Sequence, residues 1–96
     1  MDGILAADFA AYEIQRGIDA TSLGSPISPC KPYDYCLWEN GRLAAVIMLT
    51  EHNRDRNALF LNARRAAEQS GIPFINFYTH MPNERSYVRE RIRSFL

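Results

Sequence analysis

The chain has 96 residues, of which 47% are apolar and 23% charged, and this length and composition fit one globular domain with no room for a second. Eleven basic and eleven acidic residues give a formal charge of zero, which excludes an overall electrostatic field that would hold nucleic acid or an anionic membrane. No apolar run approaches the roughly 20 residues of a membrane span, and the first residues lack a basic end followed by an apolar stretch. We therefore expect a cytoplasmic protein with no membrane partner.

The first segment, residues 1–19, is predicted to hold a helix that begins after Asp2, a capping residue, and ends near Gly17. Its apolar residues recur at helical spacing: Leu5, Phe9 and Tyr12. The second segment, residues 20–32, is a loop, because its prolines and serines oppose regular structure over most of its length.

Two cysteines flank the end of this loop. Cys30 and Cys36 lie six positions apart and have no histidine at zinc-finger spacing. In a chain without secretory features we expect both to be free thiols.

The remaining residues, 33–96, are predicted to form the core, which opens with a β-hairpin. The run 33–38 is rich in aromatic residues and the run 43–49 is continuously apolar, so both are typical of strands. Asn40-Gly41 between them marks a turn. A three-residue loop would pair Trp38 with Arg42, whereas a two-residue turn would shift the pairing by one residue. We predict the three-residue loop with a bulge at Gly41.

A helix, a strand and a second helix complete the predicted core. The first of these helices is expected from Asn53 to about Ser70, with Gly71 as its stop. Residues 72–78 are apolar on both faces, which predicts an internal strand, parallel to its neighbour because a helix connects them. The last helix begins near Asn83 and presents an apolar stripe for burial: Val88, Ile92, Phe95 and Leu96.

The predicted fold is therefore α/β (α+β): a single three-layer-like domain with the order α-β-β-α-β-α around a small mixed sheet. Three segments carry sequence features of a known family: Tyr33-Asp34-Tyr35, the run from Ala45 to Arg54, and Gly71-Ile72-Pro73-Phe74. Together they resemble the core of the restriction-endonuclease-like, PD-(D/E)xK nucleases, and most closely the small bacterial branch that includes very-short-patch-repair-like proteins.

That resemblance implies a Mg²⁺ site built from an Asp on one strand and an acid on the next, with a Lys two positions later that helps to activate water. Asp34 matches the first acid and is the metal ligand the resemblance implies. Met48 occupies the position of the family's second acid, and Thr50 occupies the position of its Lys. The thioether of Met48 is not a ligand for magnesium. The family's fold is therefore expected to remain while its catalytic site is degenerate.

Nearby residues offer two other sites. Asp34, Glu51 and His52 form a rearranged metal site if the strand bulges after Thr50, and Glu13 is a further acid that can approach the sheet edge. Without a bulge, Glu51 and His52 only lead out of the strand, and His80 is interpreted as a loop residue.

The last helix carries arginines at i, i+4 and i+8, namely Arg85, Arg89 and Arg93. Such a row can follow a phosphate backbone, or it can be the solvated face of an ordinary amphipathic helix.

Three functions follow. The preferred one is a non-catalytic binding or assembly module without a cofactor, acting as a homodimer or with another protein. The second is a Mg²⁺-dependent endonuclease with the rearranged site. The third is a nucleic-acid-binding domain that uses the arginine row.

Overall fold

Four strands form one mixed sheet in the part of the chain that the computed structural model describes, residues 1–50, 57–78 and 84–96. The elements in chain order are α1 (Asp2–Asp8), β1 (Glu13–Ile18), one turn of 3₁₀ helix (Ala20–Leu23), β2 (Tyr33–Glu39), β3 (Arg42–Thr50), α2 (Ala58–Gln69), β4 (Phe74–Tyr78) and α3 (Arg85–Arg93). The α+β class and the mixed sheet were predicted. The spatial order of the strands is β1-β2-β3-β4, with β3 and β4 parallel as predicted and the other pairs antiparallel.

The prediction of one helix from Asp2 to Gly17 is wrong in its second half. Helix α1 ends at Asp8, and the chain returns as β1, which pairs with β2. Ile14 packs against one face of the sheet and Ile18 against the other, although residues four apart in a regular strand share a face. Gly17 lies between them with φ +65 and interrupts the alternation.

The predicted hairpin is present, but its turn differs from the prediction. Asn40 and Gly41 have φ values of 52 and 76, which define a two-residue turn of type I′. Glu39 therefore pairs with Arg42 and Trp38 with Leu43, so the predicted pairing of Trp38 with Arg42 is wrong. Two left-handed residues match the right-handed twist of the flanking strands, and Asn and Gly both tolerate that conformation.

A bulge follows this turn on β3. Leu37 pairs with Ala45 whereas Trp38 pairs with Leu43, so Ala44 is the extra residue. From there the pairing continues as far as Tyr35 opposite Ile47.

Helix α2 begins later than predicted and ends as predicted. Its cap is Asn57, whose side chain accepts a hydrogen bond from the Leu59 amide at 2.8 Å, while Asn53 lies outside the described residues. At the other end Gly71 has φ +69, and Ile72 N donates to Ala67 O at 2.9 Å. This Schellman geometry requires the left-handed residue that glycine supplies.

Strand β4 lies at the edge of the four-stranded sheet, so the prediction of an internal strand is wrong. Ile75 and Phe77 face one side, and Phe74 faces the other. Both sides of β4 are apolar because helices cover both faces of the sheet, and not because strands flank it on both sides.

The sheet separates two apolar clusters. The first cluster joins it to α1 and α3: Leu5, Phe9, Tyr35, Leu37, Ala45, Ile47, Ile75, Phe77, Val88 and Ile92. The second cluster joins it to α2 and the 3₁₀ turn: Ala20, Cys30, Tyr33, Cys36, Val46, Met48, Phe60, Ala63, Ala66 and Ala67. Val88 and Ile92 are buried as predicted, but Phe95 is 40% and Leu96 46% exposed, because α3 ends at Arg93 before it can turn them inward.

Candidate functional site

Asp34 is half-buried near the start of β2. Its Oδ2 accepts a hydrogen bond from the Leu49 amide at 2.6 Å, and Lys31 Nζ donates to the Leu49 carbonyl at 2.9 Å. Since the backbone pairing between β2 and β3 stops at Tyr35–Ile47, the two side chains supply partners for both polar backbone groups of Leu49. The Asp34 carboxylate therefore stabilises the end of β3 by accepting a hydrogen bond from its backbone.

Met48 packs in the core, and Thr50 forms a buried hydrogen bond. Met48 is fully buried in the second cluster, and Thr50, 4% exposed, donates from Oγ1 to Asn76 Oδ1 at 3.0 Å. The three-residue loop predicted at Gly41 would also pair Asp34 with Val46, but Val46 pairs with Cys36, so that register is wrong. Continued by one residue, the observed register sets Asp34 opposite Met48.

Glu51 and His52 lie outside the described residues, as does His80, so the rearranged site with Asp34 stays a prediction. Glu13 is exposed on β1 and not on a helix. Within residues 1–50, 57–78 and 84–96, no three His, Cys, Asp or Glu side chains come close enough together to hold a metal ion.

One member of the arginine row of α3 forms a hydrogen-bonded ion pair within the chain. Arg85 forms a two-pronged pair with Asp8, at 2.9 Å from Nε to Oδ2 and 2.8 Å from Nη2 to Oδ1. This pairing lowers the pKa of Asp8 from its ordinary value of 3.8 and links α3 to α1. Arg89 Nε is buried without a hydrogen bond and lies 3.6 Å from Glu90 Oε1, whereas Arg93 is exposed.

A fourth arginine, Arg91, makes contacts that the sequence did not single out. Its Nε and Nη2 donate to the Asn76 carbonyl at 3.3 and 3.2 Å. Its guanidinium carbon lies 5.6 Å from the ring centroid of Phe77 and 5.9 Å from that of Phe95. Arg91 does not belong to the i, i+4, i+8 row of the other three arginines, so the sequence pattern does not include it. Its contacts depend on the position of the β4 edge in the fold.

Arg91 borders a groove of about 500 Å³ between α2, the edge of β4 and the end of α3. Ten residues line it: Phe60, Arg64, Glu68, Ile72, Pro73, Phe74, Asn76, Tyr78, Arg91 and Phe95. The groove combines aromatic walls with Arg91 and with an Arg64–Glu68 ion pair at 3.0 Å, so among the described residues its one uncompensated charge is that of Arg91 and it suits an occupant with both apolar and anionic groups.

The buried titratable groups on β2 are held in their neutral forms. Tyr33 donates to the Ala63 carbonyl at 2.7 Å, and burial raises the pKa of its phenol to about 12. Burial raises the pKa of the Cys36 thiol to about 11. Cys36 and Cys30 are both buried and free, as expected, and neither Tyr33 nor Cys36 is ionised near neutral pH.

Comparison with protein-family models, with curated proteins and with solved structures finds no match to this chain. None of the helices in the described residues combines the length and the apolarity that crossing a bilayer requires.

Proposed function

We propose that this chain is a non-catalytic binding or assembly module with a nuclease-like core whose metal site is degenerate. The hydrogen bond from the Leu49 amide to Asp34 carries the proposal, because it gives the one matching acid a structural use. A magnesium ion at Asp34 would have only the other carboxylate oxygen, Oδ1, and would find the Met48 thioether at the position of the second acid.

A metal-dependent endonuclease would require a second carboxylate in this arrangement. Asp34 can offer Oδ1 to a metal while Oδ2 keeps the Leu49 amide, but the position of the second acid is taken by Met48, whose thioether is not a ligand for magnesium. The fully buried Met48 at that position therefore favours the binding module.

The test is a cleavage assay with fluorescent single- and double-stranded DNA and RNA in Mg²⁺ or Mn²⁺. We expect no cleavage above background for the wild type and the same result for Asp34→Asn, which retains an acceptor oxygen at this position. Metal-dependent cleavage by the wild type that disappears in Asp34→Asn would overturn the proposal. Metal titration by calorimetry supplies a second readout, for which we expect no Mg²⁺ binding that depends on Asp34.

A further inference from the structure

The outer edge of β4 presents backbone hydrogen-bonding groups to the groove. The Val46 amide donates to the Pro73 carbonyl at 3.0 Å, so the carbonyl of Pro73 faces β3. Backbone groups alternate in direction along a strand, which turns the amide and carbonyl of Phe74 and of Asn76 away from β3. The hydrogen bonds from Arg91 to the Asn76 carbonyl agree with this direction.

The walls of the groove continue the two faces of the sheet beyond β4. Phe60 of α2 packs against Phe74 with ring centroids 5.7 Å apart, which makes the wall on that side aromatic. On the opposite side Arg91 and Phe95 form the other wall. A strand added beside β4 would therefore direct alternate side chains to an apolar wall and to a wall with a cation.

The charges in the groove are unbalanced. Arg64 is paired with Glu68 at 3.0 Å. Arg91 contacts a neutral carbonyl and two aromatic rings, and it has no acidic partner among the described residues. An occupant that carries a carboxylate would compensate this charge with a bidentate pair.

We propose that this groove binds an extended acidic segment of a partner protein, which adds to β4 as a fifth strand and places a carboxylate on Arg91. This inference rests on the proposed function and names the chemistry of the module's partner. A symmetric pairing with β4 of a second copy fits less well, because β4 from Phe74 to Tyr78 contains no acidic residue that could reach Arg91. The acidic residue should be flanked by apolar residues, whose side chains would face Phe60 and Phe74.

The probes are three blocked, fluorescein-labelled peptides of alternating pattern, Val-Thr-Val-Asp-Val-Thr-Val and its variants with Asn or Lys in place of Asp. Fluorescence anisotropy with the full chain should show the Asp peptide binding about tenfold more tightly than the Asn peptide, since a charge-assisted pair is stronger than a neutral one. The Lys peptide should bind most weakly. In Arg91→Gln the preference for Asp should disappear, whereas in the matched control Arg65→Gln, exposed on α2 away from the groove, it should remain.

Amide NMR of the complex provides a readout of position. The outward amides of Phe74 and Asn76 should gain protection from hydrogen exchange when the Asp peptide binds, while those of Ile75 and Phe77, which face β3, should change little. Failure of the Asp peptide to bind, or an undiminished Asp preference in Arg91→Gln, would overturn the proposed partner chemistry. A homodimer that protects the same two amides would overturn it in favour of a second copy. Metal-dependent cleavage is a separate outcome that would overturn the non-catalytic function, while loss of peptide binding alone would leave that function in place.

Discussion

Removing the Asp34 carboxylate should destabilise the domain. Its Oδ2 accepts the Leu49 amide at 2.6 Å, and a hydrogen bond to a charged group contributes about 1.5–3 kcal/mol. Because Asp34 is half-buried, we expect Asp34→Ala to lower the free energy of unfolding by about 2 kcal/mol. For a domain of this size that loss corresponds to a fall in Tm of roughly 8–16 °C.

The measurement is thermal and urea denaturation followed by far-UV circular dichroism. Asp34→Asn retains an acceptor oxygen, so it should recover about half of the loss. Glu13→Ala removes the same charge from an exposed position on β1 and controls for the change in net charge; it should alter stability by less than about 0.5 kcal/mol. If Asp34→Ala melted at the same temperature as the Glu13→Ala control, Asp34 would have no structural role, and the main support for a non-catalytic module would be lost.

Burial and charge set three other outcomes. Ile92→Ala should lower the free energy of unfolding, measured by urea denaturation, by about 3 kcal/mol because Ile92 is fully buried. Phe95→Ala should lower it by only about 1 kcal/mol because Phe95 is 40% exposed. Equal losses in the two variants would contradict the observed burial. The stability gap between the wild type and Arg85→Gln should be full above pH 3.8 and close as the pH falls through the lowered pKa of Asp8, and a gap that stays constant down to pH 2 would exclude this linkage. The Cys36 thiol, fully buried and with its pKa raised to about 11, should react with a thiol reagent only as fast as the protein opens; rapid labelling of Cys36 in the native protein, mapped by mass spectrometry, would show that it is accessible.

The N-terminal strand could not be recognised from its apolar spacing. Ile14 and Ile18 are four residues apart, which is a helical period, yet they lie in a strand and face opposite sides of the sheet. Gly17 permits this because its backbone adopts φ +65 and breaks the alternation. A prediction based on regular periodicity therefore extends α1 through this strand.

The hairpin shows a second limit of sequence reasoning. The Asn-Gly pair correctly predicts a tight turn, and it also favours the two-residue form that the structure contains. The bulge at Ala44 then changes the register by one residue, and no turn residue signals it. The position of Asp34 relative to Met48 depends on both features, so neither loop type alone could place the candidate site.

The end of α2 and the buried face of α3 were more predictable than the contacts at the groove. The stop of α2 at Gly71 and the burial of Val88 and Ile92 follow from local chemistry and helical spacing. In contrast, Arg91 contacts Asn76 across the fold, and the exposed position of Phe95 depends on where α3 ends. Such features depend on how distant elements meet.

The alternation of side chains along β3 couples the two sides of the domain. Ala45 and Ile47 belong to the first cluster, while Val46 and Met48 belong to the second. Neither helical layer can separate from β3 without exposing residues that are adjacent in sequence to those of the other layer. The two clusters should therefore unfold as one cooperative unit, with the amides of β3 exchanging with solvent only when the whole domain opens.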